Sequence, residues 1–252
     1  MYKAKYLQPR PRTGADTVLQ LKLYNGMMIT DRVFDYSLNG VTVTVYNRND
    51  PDTCLPVYPG FHFEGIYDYI YTNSGFQSTF RDSFSMMIWV KPDDGQPAAE
   101  DVLAGEKSDT DPTEDQVSIS IQTTGKIRFT VESDDDVAYA EGNAATFADG
   151  AGAWTHIAAV ATKDTSLRIY VNGELLTLGA APADGDATGL TFADYTIGAC
   201  NFGLAGLNGD ETIDGITNPF AGLISDFRMY NRVLSATEVK STYSVTRSRY
   251  GV

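Results

Sequence analysis

One stretch near the middle of the chain restricts the fold more than any other. Residues 154–160 and 167–171 each place alternate side chains on opposite faces, with the two-residue period of a β-strand. Asn172-Gly173 follows the second run, and this pair between apolar runs predicts a tight hairpin because both residues tolerate positive φ. The stretch therefore predicts an antiparallel meander of three strands. Such a meander must bury its apolar face, so the rest of the chain is expected to supply a second sheet.

The same alternation recurs along the 252-residue chain. In residues 83–91, for example, Phe84, Met86, Ile88 and Val90 share one face. Further runs with this period lie at residues 18–24, 41–45, 117–121, 127–131, 137–139 and 221–230. Short strands separated by turns are typical of a β-sandwich or barrel.

A helix is predicted near the end of the chain. Ser235 and Glu238 have the spacing of a capping box, in which each side chain accepts a hydrogen bond from the other residue's backbone N–H. Leu234 and Val239 occupy the positions of a hydrophobic staple around that box. These signals predict a helix of a few turns that begins at Ser235.

Four short motifs occur together in this chain. They are W-x-H-I-A-x-V at residues 154–160, L-x-I-Y-V-N-G at 167–173, W-V-K-P at 89–92 and N-R-V-L-S at 231–235. Together they resemble the laminin-G-like, concanavalin-A-like jelly-roll domains, over nearly the whole chain. The resemblance implies an all-β fold, a two-sheet antiparallel jelly-roll sandwich with a short C-terminal helix. It does not imply one function, because this fold carries lectins, adhesion modules, glycosidases and structural domains.

Charge is unevenly distributed along the chain, whose net charge is −14. We expect an extended basic arm at 1–16, a single laminin-G-like jelly-roll domain at 17–245 and a basic tail at 246–252. The basic residues of the two ends are Lys3, Lys5, Arg10, Arg12, Arg247 and Arg249. These ends could dock on an acidic partner such as a neighbouring copy, or they could be solvated termini. The acidic body disfavours nucleic acid and anionic membranes, and no apolar run approaches the ~20 residues of a membrane-spanning helix.

Candidate catalytic groups are few. Glycosidases on this fold need two carboxylates that face one cleft. Glu132, Asp134 and Asp136 have alternate spacing, but their polar neighbours and a nearby turn favour a solvated corner. The two histidines, His62 and His156, have no neighbours in the sequence that predict a zinc site or a nucleophile–base pair. We therefore expect a protein that is not an enzyme.

The resemblance also implies calcium, because laminin-G-like domains often bind it. Residues 109–115 and 208–214 supply hard oxygen ligands at close spacing. Solvated acidic loops are the preferred interpretation, so no cofactor is assigned and calcium stays an alternative. Asp226 matches an acidic position of the family, and either supporting the metal ligands from behind or bracing a turn would explain it equally well. Cys54 and Cys200 could pair, but two free thiols are favoured over a disulfide.

Three tyrosines form a candidate contact surface. Tyr67, Tyr69 and Tyr71 alternate along one stretch and so share one strand face. Their rings could stack on a glycan while the hydroxyl groups stay in water. A protein–protein interface, where Tyr is enriched, and ordinary sheet packing are the alternatives.

Two functional classes follow from these observations. The chain begins with basic residues and no apolar signal region, so we expect synthesis in the cytosol. Its resemblance, however, is to modules that usually act outside cells. We therefore expect a structural or adhesion component of a virus particle, most plausibly a phage, such as a capsid-decoration or tail-fibre protein that contacts other virion subunits and its own copies. The alternative is a secreted, lectin-like module that binds cell-surface glycans, with calcium or without it.

Overall fold

The computed structural model describes residues 14–25, 32–46, 56–66, 68–72, 74–107, 116–133, 136–179, 202–208 and 216–252. The central meander forms as its sequence predicts. Strands β12 (Thr155–Thr162), β13 (Ser166–Val171) and β14 (Glu174–Leu175) pair antiparallel in succession. Asn172 and Gly173 connect the last two strands with φ of 51° and 82°, the left-handed conformation that Asn-Gly adopts readily.

In the described part of the chain, eight strands form the first sheet. Seven of them follow one another in the order β14, β13, β12, β7 (Phe84–Pro92), β18 (Ala221–Tyr230), β5 (Gly60–Glu64) and β4 (Pro56–Val57). The eighth, β1 (Thr17–Lys22), pairs with β18 near its end, whereas β5 pairs with β18 near its start. The long strand β18 therefore holds β1, β5 and β7 together.

Eight further strands within the described ranges form the second sheet. Their order is β11 (Asp136–Glu141), β10 (Ile127–Ser133), β9 (Gln116–Ile121), β8 (Asp101–Lys107), β15 (Gly203–Leu204), β6 (Tyr69–Thr72), β3 (Thr42–Tyr46) and β2 (Arg32–Phe34). Strands β16 (Leu207–Asn208) and β17 (Ile216–Thr217) form a small separate ribbon. The pairings in both sheets are antiparallel, so the predicted two-sheet sandwich is confirmed.

The main hydrophobic core takes one face from each sheet. Phe84, Met86, Ile88 and Val90 of β7 are fully buried in it, together with alternate residues of β9, β10 and β12. Burying one such large apolar side chain contributes about 1.5–3 kcal/mol. This one-sided burial follows from the two-residue period of the strands.

The first sheet is also covered on its outer face. Helix α2 (Ala236–Thr246) begins at Ser235, whose Oγ accepts a hydrogen bond from the Glu238 N–H at 3.3 Å. Glu238 Oε2 accepts in turn from the Ser235 N–H at 2.9 Å, which confirms the predicted capping box. The helix and the sheet share a second hydrophobic cluster of Met87, Ala158, Val160, Tyr170, Leu234 and Val239. The prediction of a short C-terminal helix is confirmed.

The residues predicted to form a basic tail, 246–252, pack against the domain. The chain continues from α2 as a 3-10 helix, Arg247–Tyr250. The Tyr250 ring stacks on the buried Trp89 ring with 4.0 Å between centroids, and Trp89 Nε1 donates to Thr246 Oγ1 at 3.0 Å. These contacts cover the face of β7 that carries Trp89, which a free tail would leave exposed to solvent.

Two other short helices connect strands. Helix α1 (Gln77–Phe80) precedes β7, and a 3-10 helix, Leu23–Asn25, follows β1. Among the helices in the described ranges, none has the length and apolar content needed to cross a membrane.

Candidate functional site

A row of tyrosine rings lies on the outer face of the second sheet. On β6, Ile70 packs in the core, so its neighbours Tyr69 and Tyr71 face the other way. On the paired strand β3, Val45 packs in the core and Tyr46 faces outward, directly opposite Tyr69. The sheet register therefore brings together Tyr46, Tyr69 and Tyr71, which we call the tyrosine row.

The three rings are in contact. The centroids of Tyr46 and Tyr69 are 5.2 Å apart, and those of Tyr69 and Tyr71 are 5.4 Å apart, with the planes tilted by 50° and 32°. These are ordinary distances for favourable aromatic pairs. Tyr69, in the middle, is only 3% exposed, whereas Tyr46 and Tyr71 are half-buried. The row is thus a rigid aromatic surface that is accessible at its two ends.

The sequence analysis identified part of this row. Tyr69 and Tyr71 share one face as expected, while Tyr67 lies outside the described residues. Tyr46 was missed because it is brought in by strand pairing over a long sequence separation. A signal was present nonetheless: since Val43 and Val45 point inward, Tyr46 must point outward.

The fold and the row can now be compared with known proteins. Residues 64–240, more than half of the chain, match the model of the Concanavalin A-like lectin/glucanases superfamily.

The chain belongs to this superfamily.

The match includes β6 with Tyr69 and Tyr71, whereas Tyr46 precedes it. No curated protein is significantly similar to the chain.

Several solved structures share the fold of this superfamily member. The binding domain of botulinum neurotoxin serotype G has a TM-score of 0.63 and 17% identity, with 92% of this chain and 52% of that chain covered. The serotype D ligand-binding domain in complex with N-acetylneuraminic acid has a TM-score of 0.59 and 14% identity, with 91% and 51% covered. The chain therefore spans about half the length of these neurotoxin domains, and at this identity the likeness concerns the fold.

A groove lies elsewhere on the superfamily sandwich, between the β13–β14 hairpin and helix α2. Its volume is about 500 Å³. Lys240 Nζ and Glu174 Oε1 are 2.5 Å apart across it, and Leu175 in its wall is 59% exposed. Because the two charged groups in the groove already pair with each other, the tyrosine row is the stronger candidate site.

The predicted docking residues fall in two groups. Lys3, Lys5, Arg10 and Arg12 lie outside the described residues. Arg247 and Arg249 are part of the 3-10 helix that packs against the sheet. The Arg247 guanidinium lies 5.9 Å from the Tyr243 ring centroid, and that of Arg249 lies 3.5 Å from the Tyr24 ring centroid. A docking role for either group stays a prediction.

The calcium alternative concerns loops outside the described part of the chain. Residues 109–115 are not described, and neither are the side chains of residues 208–214. Cys54 and Cys200 also lie outside it. Within the described ranges, no group of three His, Cys, Asp or Glu side chains could hold a metal ion.

The two histidines have structural surroundings. His62 Nε2 lies 2.7 Å from Asp93 Oδ2 at the surface. His156 is 1% exposed against the Trp89 ring, and burial, with a smaller effect of the Arg228 charge, lowers its pKa to about 3. His156 is therefore neutral at ordinary pH.

Two of the acidic candidates, Asp226 and Glu132, have side chains that the structure describes. Asp226 is almost fully buried and forms a bidentate pair with Arg228, so it braces strand β18 rather than a turn. Among the candidate carboxylates Glu132, Asp134 and Asp136, only Glu132 has a described side chain, which lies on β10.

Two carboxylates with raised pKa values, the buried Glu106 and the half-buried Asp101, escaped sequence analysis. Glu106 on β8 is fully buried, and burial raises its pKa to about 8, against the opposing effect of a hydrogen bond from the Phe76 N–H. Burial likewise raises the pKa of Asp101 to about 6. Glu106 was not predictable, because a glutamate is almost never fully buried unless its charge is paired.

Proposed function

We propose that the chain is a non-enzymatic glycan-recognition domain and that the tyrosine row contacts the sugar. The observation that carries the proposal is the row itself, three rings spaced 5.2 and 5.4 Å apart with both ends accessible. It lies on a sandwich of a superfamily that is named for its lectins and glucanases.

The chemistry of the row suits a sugar ring. One face of a sugar ring carries C–H groups and is apolar, while its edge carries hydroxyl groups. A tyrosine offers a matching apolar ring face and a hydroxyl group that stays in water. Thr44, directly opposite Tyr71 in the β3–β6 pair, adds a hydroxyl that can donate or accept a hydrogen bond on the same face. Stacking and a few hydrogen bonds together would orient the glycan.

Sialylated glycans are the first class to test. Two of the similar neurotoxin structures are complexes with N-acetylneuraminic acid and with SialylT. Those ligands are bound by the neurotoxin domains, of which this chain spans about half. We use them here only to choose the first glycans to test.

The decisive experiment is a glycan array with matched variants. Tyr71→Leu removes the ring at the accessible end and should weaken binding about fivefold to tenfold, the loss expected for one stacking contact of about 1–1.5 kcal/mol. Tyr71→Phe keeps the ring face and should retain most of the binding. Tyr139→Leu is the control, because Tyr139 is a half-buried tyrosine of β11 in the same sheet, beneath Arg128 and outside the row.

Two results would refute this function. The first is a wild-type protein that binds no glycan on the array. The second is an equal loss in Tyr71→Leu and Tyr139→Leu, which would mean that the row does not form the binding site.

We propose a virion role as the second candidate, in which the domain is a structural or adhesion component of a phage particle. The charge distribution favours it: residues 1–15 hold four basic side chains and no acid, in a chain of net charge −14. Such an arm is complementary to the acidic body of a neighbouring copy. The role is compatible with glycan binding, since an adhesion subunit needs both an assembly contact and a ligand.

The mass of the native assembly tests this second candidate. The full-length chain should form large symmetric assemblies, and a variant that lacks residues 1–15 should not. If both chains are monomers in solution, the virion role loses its support.

A further inference from the structure

Three cations meet on the outer face of the first sheet. Lys22 on β1 lies opposite Asp226 on β18, and Arg228 projects from the same face of β18 two residues later. Arg249 reaches the same place from the C-terminal 3-10 helix, with its Nη1 at 3.9 Å from Asp226 Oδ2. We call Lys22, Arg228 and Arg249 the cationic cluster.

Among the described residues, one carboxylate faces these three cations, and it is already paired with Arg228. Asp226 is bound in bidentate fashion by Arg228, with 2.9 Å from Nε to Oδ1 and 2.7 Å from Nη2 to Oδ2. At 3.9 Å, Arg249 Nη1 is too far from Asp226 for a hydrogen bond, and this buried nitrogen has no hydrogen-bond partner. Within the described residues, Lys22 forms no ion pair within hydrogen-bonding distance, and its Nζ lies 4.6 Å from the Tyr36 ring centroid. The cluster therefore carries more positive charge than this one carboxylate balances, and the Lys22 ammonium is the donor left for an anion.

Aromatic rings hold these donors in place. The Arg249 guanidinium lies 3.5 Å from the Tyr24 ring centroid, and the Lys22 ammonium lies over Tyr36. The side chains of Arg228 and Arg249 are 23% and 28% exposed, and Lys22 is half-buried. The cluster is thus partly withdrawn from water but still reachable by a small group.

The excess charge is unfavourable for folding alone. Like charges repel, and partly buried cations that face an aromatic ring instead of a carboxylate recover only part of the hydration they lose. The effect is visible at Lys22, where burial lowers the pKa and the charges of Arg228 and Arg249 lower it further, against the opposing effect of Asp226. An oxyanion at the exposed edge of the cluster would pair with the Lys22 ammonium beside the positive charges of Arg228 and Arg249, and such charge-assisted bonds are the strong ones.

We propose that the cationic cluster is a binding site for the carboxylate or sulfate group of an acidic sugar. The site is distinct from the tyrosine row, because it lies on the first sheet and the row lies on the second. That the ligand is a sugar rests on the proposed glycan-recognition function, while the preference for an oxyanion rests on the cluster alone.

NMR titration of the full chain with three small sugars tests the site. Glucuronate carries a carboxylate, glucose 6-sulfate carries a sulfate, and glucose is the neutral control. The wild-type protein should bind at least one of the two acidic sugars and bind glucose far more weakly. Comparison of the two acidic sugars shows which oxyanion the cluster prefers.

Variants locate the binding. Lys22→Met keeps the apolar stem and removes an unpaired charge, so it should fold and should weaken acidic-sugar binding about tenfold or more, as expected for the loss of one charged hydrogen bond. Lys163→Met, at a turn between β12 and β13, is the matched control and should bind like the wild type. Shifts of the backbone signals around Lys22, compared with those around Tyr71, show which of the two surfaces binds the acidic sugar, so a failure of the tyrosine row would be seen separately.

Three results would overturn the proposal: no binding of either acidic sugar, equal binding of glucose, or unchanged affinity in Lys22→Met.

Discussion

The buried carboxyl group of Glu106 should make the stability of this domain fall as the pH rises. Its Oε2 accepts a hydrogen bond from the Phe76 N–H at 3.1 Å, and its Oε1 has no partner. The group is therefore favoured in its neutral, protonated form, with a pKa of about 8 in the folded protein against 4.5 for an ordinary glutamate. Between these two values the native state binds one proton that the unfolded state has released.

The sign and size of the effect follow from proton linkage. Since the native state binds more protons, the free energy of unfolding falls by about 1.4 kcal/mol for each pH unit in this window. Over the interval from 4.5 to about 8 the loss is about 5 kcal/mol. Stability from this group is thus fully present below pH 4.5 and is lost by pH 8. Glu106→Gln is neutral at every pH and should show none of this loss.

Equilibrium urea unfolding followed by tryptophan fluorescence at pH 5, 6.5 and 8 measures the effect. The difference in unfolding free energy between Glu106→Gln and the wild type should grow with pH in favour of the variant. Glu64→Gln, at an exposed position, is the control and should follow the wild type. Parallel pH profiles for Glu106→Gln and the wild type would refute the reasoning.

Three further perturbations test the packing of the first sheet. Ser235→Ala removes the side-chain cap of α2 and should lower the free energy of unfolding by about 1 kcal/mol, whereas Ser235→Thr should retain most of it; equal urea midpoints for all three proteins would contradict the capping assignment. Tyr250→Ala should lower stability by about 3–5 kcal/mol and shift tryptophan emission to the red, because Trp89 loses the ring stacked at 4.0 Å; an unchanged spectrum would show that Tyr250 does not cover Trp89. His156 has a folded pKa of about 3 against 6.5 when unfolded, so stability present above pH 6.5 should be lost as the pH falls toward 3. His156→Gln should lose less stability than the wild type between pH 7 and pH 4.5 in thermal unfolding, and identical losses would refute a neutral His156.

Local signals explain the parts of the fold that the sequence predicts. The meander follows from a two-residue period and an Asn-Gly turn, and helix α2 follows from Ser235 and Glu238 at capping-box spacing. Each of these signals lies within a few residues and needs no knowledge of the rest of the chain.

Long-range contacts explain what the sequence could not predict. Trp89 lies on the face of β7 opposite Phe84 and Met86, and it is covered there by Tyr250, which lies far away in the sequence. Tyr46 joins the tyrosine row only through the pairing of β3 with β6. Arg249 was interpreted as part of a basic tail because composition does not show that the neighbouring Tyr250 is buried.

The most direct test of glycan recognition is the NMR spectrum of the ¹³C-tyrosine-labelled protein, recorded with and without the best glycan found on the array. The account predicts that the ring signals of Tyr46 and Tyr71 shift while that of Tyr139 does not. A saturating glycan that leaves Tyr46 and Tyr71 unshifted would contradict it.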